Sequence, residues 1–263
     1  MNSVSTFSFH TIPSFHQLWS VCIEDRITPQ IASFKTVFAR HNISRSSAIL
    51  DTCCGAGSFD IALMKCGFNL ATTDGDVEML KLFRKNLFEN VIDHEPTLAK
   101  WSELPSVFGD RKFDAVICCG NSFIYSGGFW NNDGEIDRER ALGNILKTLK
   151  TFHGLLAPGG IFLVDKPADD EQNTRELIAH VCVADAEIYE VFFSISFDVA
   201  RQRRNAQILL RHRVTGEEIG VPNVAYHLKD AELQQLLIES GFSGVDCLPL
   251  APGQHFPTWI VKT

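Results

Sequence analysis

The chain has 263 residues, with 24 Lys or Arg against 32 Asp or Glu, a formal charge of −8 at pH 7 and a hydrophobic fraction of 45%. That composition excludes intrinsic disorder, and the acid excess argues against an electrostatic grip on nucleic acid, which needs clustered cations. No run approaches the ~18 consecutive apolar residues of a membrane span, and Met1–Ser5 lacks a basic stretch leading into an apolar one, so a soluble, cytoplasmic protein with a small-molecule partner is expected.

Phe15, Leu18, Trp19 and Cys22 recur at helical spacing, as do Ile31, Phe34, Val37 and Phe38 after Pro29, which predicts two N-terminal helices. From Ala48, apolar strand-like runs alternate with helical stretches, the pattern of a parallel sheet with crossover helices. Strands are predicted at 48–51, 68–74, 113–119 and 160–165. Helices begin near Ser58, Asp76 and Asp137, the last running to Leu156 and stopped by Ala157-Pro158-Gly159-Gly160. After Asp165 the pattern changes: stretches rich in β-formers at 190–199 and 206–214 flank a polar Arg201-Gln202-Arg203-Arg204-Asn205 turn and predict an antiparallel hairpin. A helix from Lys229 to Ser240, ended by Gly241, and two strands near Val245 and Trp259 close the chain.

The eight cysteines fall as the adjacent pairs Cys53-Cys54 and Cys118-Cys119 and as Cys22, Cys66, Cys182 and Cys247. This spacing suits neither a disulfide framework nor a zinc site, so reduced and mostly buried thiols are expected. Asp51-Thr52-Cys53-Cys54-Gly55-Ala56-Gly57-Ser58 lies between strand and helix, where glycines let backbone N–H groups approach a ligand. A dinucleotide fingerprint would carry a third glycine where this chain has Asp60, a carboxylate at the helix start that would otherwise receive a pyrophosphate. Asp74, at the end of the second predicted strand and about 20 residues downstream, suits two ribose hydroxyls; the plainer alternative is a cap on the helix near Asp76. Loop and acid together fit an adenosine-containing ligand without a pyrophosphate.

Ile49-Leu50-Asp51-Thr52-Cys53-Cys54-Gly55-Ala56-Gly57 resembles the first motif of class I S-adenosylmethionine-dependent methyltransferases, and Asp74-Gly75-Asp76-Val77-Glu78-Met79-Leu80 resembles the second. The likeness continues through Phe113–Ile117 and the Leu156–Gly160 turn to Asp165. Cys119-Gly120-Asn121-Ser122-Phe123, Trp101 and the late Tyr226 are similar to segments of the glycine and glycine/sarcosine N-methyltransferases. The resemblance implies a Rossmann-like class I methyltransferase fold: a mostly parallel seven-stranded sheet with helices on both faces, N-terminal helices and a C-terminal antiparallel hairpin insertion. One domain over 1–263 is expected, with a helical cap (1–46), a cofactor-binding core (47–166) and the insertion with its closing helix and strands (167–263).

By the same resemblance S-adenosyl-L-methionine is the cofactor, held by Asp51, Cys53, Gly55, Ala56, Gly57, Asp74, Gly75, Met79, Lys100, Trp101, Cys119 and Gly120. The acceptor is a small molecule, an amine nitrogen first and a hydroxyl or carboxylate oxygen second. Asn121, Tyr125 and Tyr226 are the residues expected to face it, with His227 a candidate base; the alternatives are a turn-forming Asn121, a packed Tyr125 and a surface or capping His227. His10 and His16 are weaker candidates. Two departures set the chain apart from the glycine enzymes: Pro167 stands where they have an Arg that grips the substrate carboxylate, with Lys166 beside it, and Lys100 stands where they have Asn. The Arg201–Arg204 run is read as a solvated face or an attraction for an acidic substrate. No metal is expected, since no His and carboxylates stand at ligand spacing near Asn121 or Asp165. A homo-oligomer is compatible with these features. A nicotinamide-dependent oxidoreductase and a non-catalytic binding protein of the same fold are the readings from other classes.

Overall fold

The computed structural model describes residues 5–128, 136–170, 172–184, 186–248 and 258–263, with side chains at all of these except 22–26, 221, 222 and 248. Cys22 therefore lies outside the described side chains. In chain order the elements are β1 (Ser5–Phe9), α1 (Phe15–Arg40), β2 (Ile49–Asp51), α2 (Ser58–Lys65), β3 (Leu70–Asp74), α3 (Val77–Glu89), β4 (Thr97–Leu98), α4 (Leu104–Phe108), β5 (Phe113–Cys118), α5 (Arg138–Leu155) and β6 (Leu156–Asp165). They continue with β7 (Thr174–Val183), β8 (Glu187–Asp198), β9 (Arg203–His212), β10 (Glu218–Tyr226), α6 (Asp230–Glu239), β11 (Gly244–Leu248) and β12 (Thr258–Lys262). Short 3₁₀ turns cover Trp101–Glu103 and Ser122–Gly127. Two compact units result, one from 25–127, 138–169 and 228–263, the other from 1–24, 128–137 and 170–227.

The first unit holds a seven-stranded sheet in the order β11-β12-β6-β5-β2-β3-β4. All neighbours from β6 to β4 are parallel, whereas β12 runs antiparallel to both β6 and β11. A parallel sheet covered on both faces selects continuous apolar strands, and Ile49, Leu50 and Ala115–Cys118 are all fully buried. One face packs Ile49, Ala115, Ile117, Ile161 and Leu163 against Phe34, Val37 and Phe38 of α1. On α5, Ala141, Ile145, Leu149 and Phe152 recur at helical spacing on its buried side, and the Phe152 ring meets Phe162 at 5.2 Å.

The two predicted N-terminal helices are one, because α1 runs unbroken through Pro29. A proline inside a helix costs about 3 kcal/mol, and fully burying Phe34, Val37 and Phe38 returns roughly 1.5–3 kcal/mol each.

The second unit is a five-stranded sheet, β1-β7-β8-β9-β10, antiparallel except that β1 lies parallel to β7. The predicted hairpin is its centre, β8 and β9. Its inward rows alternate strictly: Tyr189, Val191, Phe193 and Ile195 on β8, and Ala206, Ile208 and Leu210 on β9. Leu18 joins the same cluster, and Trp19 meets Phe193 edge-on at 6.1 Å. Three strands of this sheet escaped the sequence reading, as did the two-residue β4 of the first unit's sheet. β1 is short, polar and largely exposed, β7 mixes charged with apolar residues, and β10 carries Pro222, tolerated because β10 is an edge.

The Arg201–Arg204 run is not a uniform solvated face. Arg201 sits in the turn and pairs with Asp198 at 3.1 Å, whereas Arg204 is 1% exposed. The period of two that buries Ala206 and Ile208 carries back to Arg204, since β9 begins at Arg203.

Candidate functional site

The parallel strands of the first unit end at Asp51, Asp74, Cys118 and Asp165, and the chain turns away from each at the same edge of the sheet. Open α/β sheets bind ligands at this edge. The loop after β2 is tied to both neighbouring strands. Thr52 donates its N–H and its hydroxyl to the Ile117 carbonyl (2.9 and 2.8 Å), and the Cys54 N–H reaches the Thr73 carbonyl (3.0 Å). From β3, Asp74 Oδ2 accepts the Gly55 N–H at 2.8 Å while its Oδ1 accepts the Asp76 N–H at 2.9 Å. Asn86 of α3 donates to the Ala56 carbonyl, and the Trp101 indole N–H to the Thr52 carbonyl, each at 2.8 Å. The cap of α3 is Asp76, which accepts from the Glu78 and Met79 amides. Asp74 thus braces the glycine loop and does not cap the helix.

Gly57 closes the loop at φ +77°, and a Cβ there would lie inside the Phe83 ring. Cys53 is half-buried, its Sγ 3.9 Å from Cys118 Sγ and 3.2 Å from the Cys119 carbonyl. The Cys118 contact and burial push its thiol well above the usual range, and burial does the same to Cys54 and Cys119. These are protonated packing thiols, all free like the other described cysteines, with Cys247 exposed.

Three carboxyls crowd the loop. Burial pushes Asp51 up to about 7 against the pull of the Cys53 amide, which donates to its Oδ1 at 2.9 Å. Asp60, fully buried in the first turn of α2, is held well above the usual carboxylate range by burial and then by the charge of Asp51. Burial also raises Asp74, opposed by the Asp76 and Gly55 amides. Because folded Asp51 holds its proton above its unfolded value of 3.8, its contribution to stability is fully present below that value and is lost as pH rises to about 7. Asp51→Asn should therefore narrow the difference in melting temperature between pH 5 and pH 8, measured by scanning calorimetry. An unchanged difference would remove Asp51 as the titrating group.

Beyond β5, Gly120 and Asn121 adopt positive φ, and their N–H groups donate to the two oxygens of Asp165 at 2.8 and 2.7 Å. Asn121 is 2% exposed, and its Oδ1 is buried with no hydrogen-bond partner among the described residues. Tyr125 follows, half-buried in the 3₁₀ turn. Lys166 is fully buried and directs its ammonium to the Pro167 carbonyl (2.8 Å), to Asp169 (3.0 Å) and to Asp230. It ties β6 to the start of α6 and is satisfied by those three oxygens.

Asp51 and Asp74 thus end β2 and β3, Cys53, Gly55, Ala56, Gly57, Gly75, Trp101, Cys119, Gly120, Asn121 and Tyr125 lie in the segments that follow β2, β3, β4 and β5, and Met79 lies in the first turn of α3. Lys100 is exposed, and its N–H is bound by Glu103. Tyr226 and His227 belong to the second unit, where both are buried; the His227 ring lies 4.7 Å from Phe197, so the surface or capping alternative does not hold. His10 is exposed, and His16 packs edge-on against Phe15. The sequence reading missed Asp165, Thr52 and Asn86 as parts of this edge. Only Asp165 carried a signal, as a carboxylate ending a buried strand. Among the described residues no group of three His, Cys, Asp or Glu is placed to hold a metal ion, and no helix is long and apolar enough to cross a membrane.

Residues 49–160 match the family model described as "Methyltransferase domain". Over 122 residues the chain is 34% identical to a glycine/sarcosine N-methyltransferase of Aphanothece halophytica, covering 45% of this chain and 39% of that protein. Over 164 residues it is 29% identical to the glycine N-methyltransferase of Oryctolagus cuniculus, covering 57% and 50%. The chain thus spans half or less of the length of these relatives. In fold it is similar to an S-adenosylmethionine-bound amino pentose methyltransferase from Micromonospora echinaspora, at 12% identity and a TM-score of 0.68 over 96% of this chain and 99% of that one. Residues 49–160 are therefore a class I methyltransferase domain of the S-adenosylmethionine-dependent type, and the chain is a distant relative of the glycine and glycine/sarcosine N-methyltransferases.

Proposed function

We propose that the chain transfers a methyl group from S-adenosyl-L-methionine to an amine nitrogen of a small molecule in the cytoplasm. The residues fit this cofactor. Each Asp74 oxygen spends one lone pair on a backbone amide and keeps another for a vicinal ribose diol. Asp60 stands at the start of α2 where a dinucleotide fingerprint would carry its third glycine, which favours a nucleoside without a pyrophosphate. When bound, S-adenosyl-L-methionine supplies an electrophilic methyl group on a cationic sulfur.

The observation that carries the amine reading is Asn121 Oδ1, a buried acceptor without a donor. An amide oxygen can take an N–H of a neutral amine and hold the nitrogen's lone pair toward the methyl group, and in-line transfer then needs orientation more than base catalysis. An alcohol would instead need its proton removed, and the thiols near Asn121 are held protonated. The N-methyltransferase names of the sequence relatives support the same reading. Lys166, satisfied by three oxygens, is not disposed to hold a substrate carboxylate, which favours amines other than free amino acids.

Calorimetric titration with S-adenosylmethionine, S-adenosylhomocysteine and NAD tests the cofactor; binding of NAD alone would overturn the reading. Release of S-adenosylhomocysteine in the presence of glycine, sarcosine, ethanolamine or glucosamine tests the acceptor class. Asn121→Ala should lower kcat roughly 30-fold, the equivalent of one good hydrogen bond in a dry site, with cofactor affinity nearly unchanged. Equal losses in kcat and cofactor affinity would assign Asn121 to the cofactor instead.

A further inference from the structure

We propose that Asp165 is a positioning residue that holds Asn121 where it can receive the acceptor nitrogen, an inference that rests on the methyl-transfer reading above. Asp165 ends β6 and is 4% exposed. Its two oxygens take two successive amides, Gly120 on Oδ2 at 2.8 Å and Asn121 on Oδ1 at 2.7 Å. Aiming consecutive N–H groups at one carboxylate demands an unusual backbone, and φ is +80° at Gly120 and +64° at Asn121. Glycine adopts that region freely and asparagine more readily than other residues with a Cβ, but as single residues; two in succession are held there by their surroundings.

Asp165 supplies that constraint. Hydrogen bonds to an ionised acceptor are shorter and stronger than neutral ones, and both of these are buried or nearly so. The outcome of the constraint is the placement of Asn121 Oδ1, sealed from solvent and without a partner. Relaxing Asn121 into an ordinary right-handed or extended conformation would swing its side chain away from this position. Asp165 thus acts on the reaction through Asn121, with no need to touch the acceptor itself.

Asp165→Asn keeps the shape but removes the charge and sets an NH2 group against one of the two amides. Its kcat for methyl transfer should fall about 10-fold with the dissociation constant for S-adenosylmethionine within about threefold of wild type. The Asn121→Ala/Asp165→Asn double variant should be no slower than Asn121→Ala alone, as expected when one residue acts through the other. Hydrogen exchange should quicken at the Gly120 and Asn121 amides but not at Gly55, which Asp74 holds. Multiplied losses in the double variant, an unaffected kcat, or parallel falls in kcat, cofactor affinity and melting temperature would each overturn the proposal. If Asp165→Asn does not fold, Asp165→Glu keeps the charge but shifts it by one methylene, and it should show the same loss in kcat at unchanged cofactor affinity. Wild type inert toward every amine tested would overturn the amine reading and this role with it; active wild type with an insensitive Asp165→Asn would overturn this role alone.

Discussion

Asp74→Ala is expected to weaken S-adenosylmethionine binding about 100-fold, the largest effect on a ligand that this site should show. The substitution acts twice. It removes the lone pairs proposed for the ribose diol, each a charge-assisted hydrogen bond. It also frees the Gly55 and Asp76 amides, so the glycine loop and the start of α3 lose their shared brace. Asp74→Asn separates the two effects, because its amide oxygen can still accept one of these N–H groups while the charge is gone; an intermediate loss of about 10-fold is expected. Calorimetric titration with S-adenosylhomocysteine beside S-adenosylmethionine reads out the diol contribution, since both carry the ribose. Unchanged affinity for both in Asp74→Ala would exclude Asp74 from the cofactor site and leave it a loop brace alone.

The largest effect on stability is expected at Gly57. Alanine there must hold φ near +77°, which costs roughly 1–2 kcal/mol, and its Cβ would overlap the Phe83 ring. Phe83 is fully buried beside Ile61, Leu80 and Leu87, so relief requires repacking at about 1–3 kcal/mol. Together these amount to about 3 kcal/mol, or a fall in melting temperature of roughly 6–12 °C. Gly57→Ala/Phe83→Leu should recover part of the fall, because the smaller side chain removes the overlap but leaves the backbone strain. A melting temperature for Gly57→Ala equal to wild type would mean that the loop shifts freely at this position.

Much of this protein is legible one residue after another. The parallel core announces itself because its strands are buried on both faces and so read as unbroken apolar runs, Ile49-Leu50 and Ala115–Cys118 among them. The turn after β2 reads equally well, since Gly55 and Gly57 carry their conformational signals locally, whereas Pro158-Gly159-Gly160, expected as a stop before a strand at 160–165, falls inside β6 as an irregularity in its pairing with β5. The second sheet is harder to read. Its hairpin alternates cleanly and was visible, but β1 takes its strand character from a distant partner, Ser5–Phe9 against Ala179–Val183, and β10, which pairs locally with β9, carries Gly220 and Pro222 against strand propensity. Propensity is a weak guide where cross-strand contacts supply the stabilisation.

The same division runs through the site. The linear order of loop, acid and central strand was enough to identify the domain and to nominate Asp51, Gly57, Asp74 and Asn121, because the residue types a bound nucleoside requires recur at short, regular spacings. The roles among those residues rest on contacts between parts of the chain far apart in sequence. Asp74 braces Gly55 across 19 positions, Trp101 reaches Thr52 across 49, and Asp165 grips Asn121 across 44. Burial likewise made Arg204 an inward residue, bound Lys166 to Asp169 and Asp230, and raised Asp51 to about 7. Local sequence encodes dihedral preference and hydrophobic period, which act over a few residues; hydrogen-bond partners, desolvation and charge coupling exist only once folding has brought distant segments together.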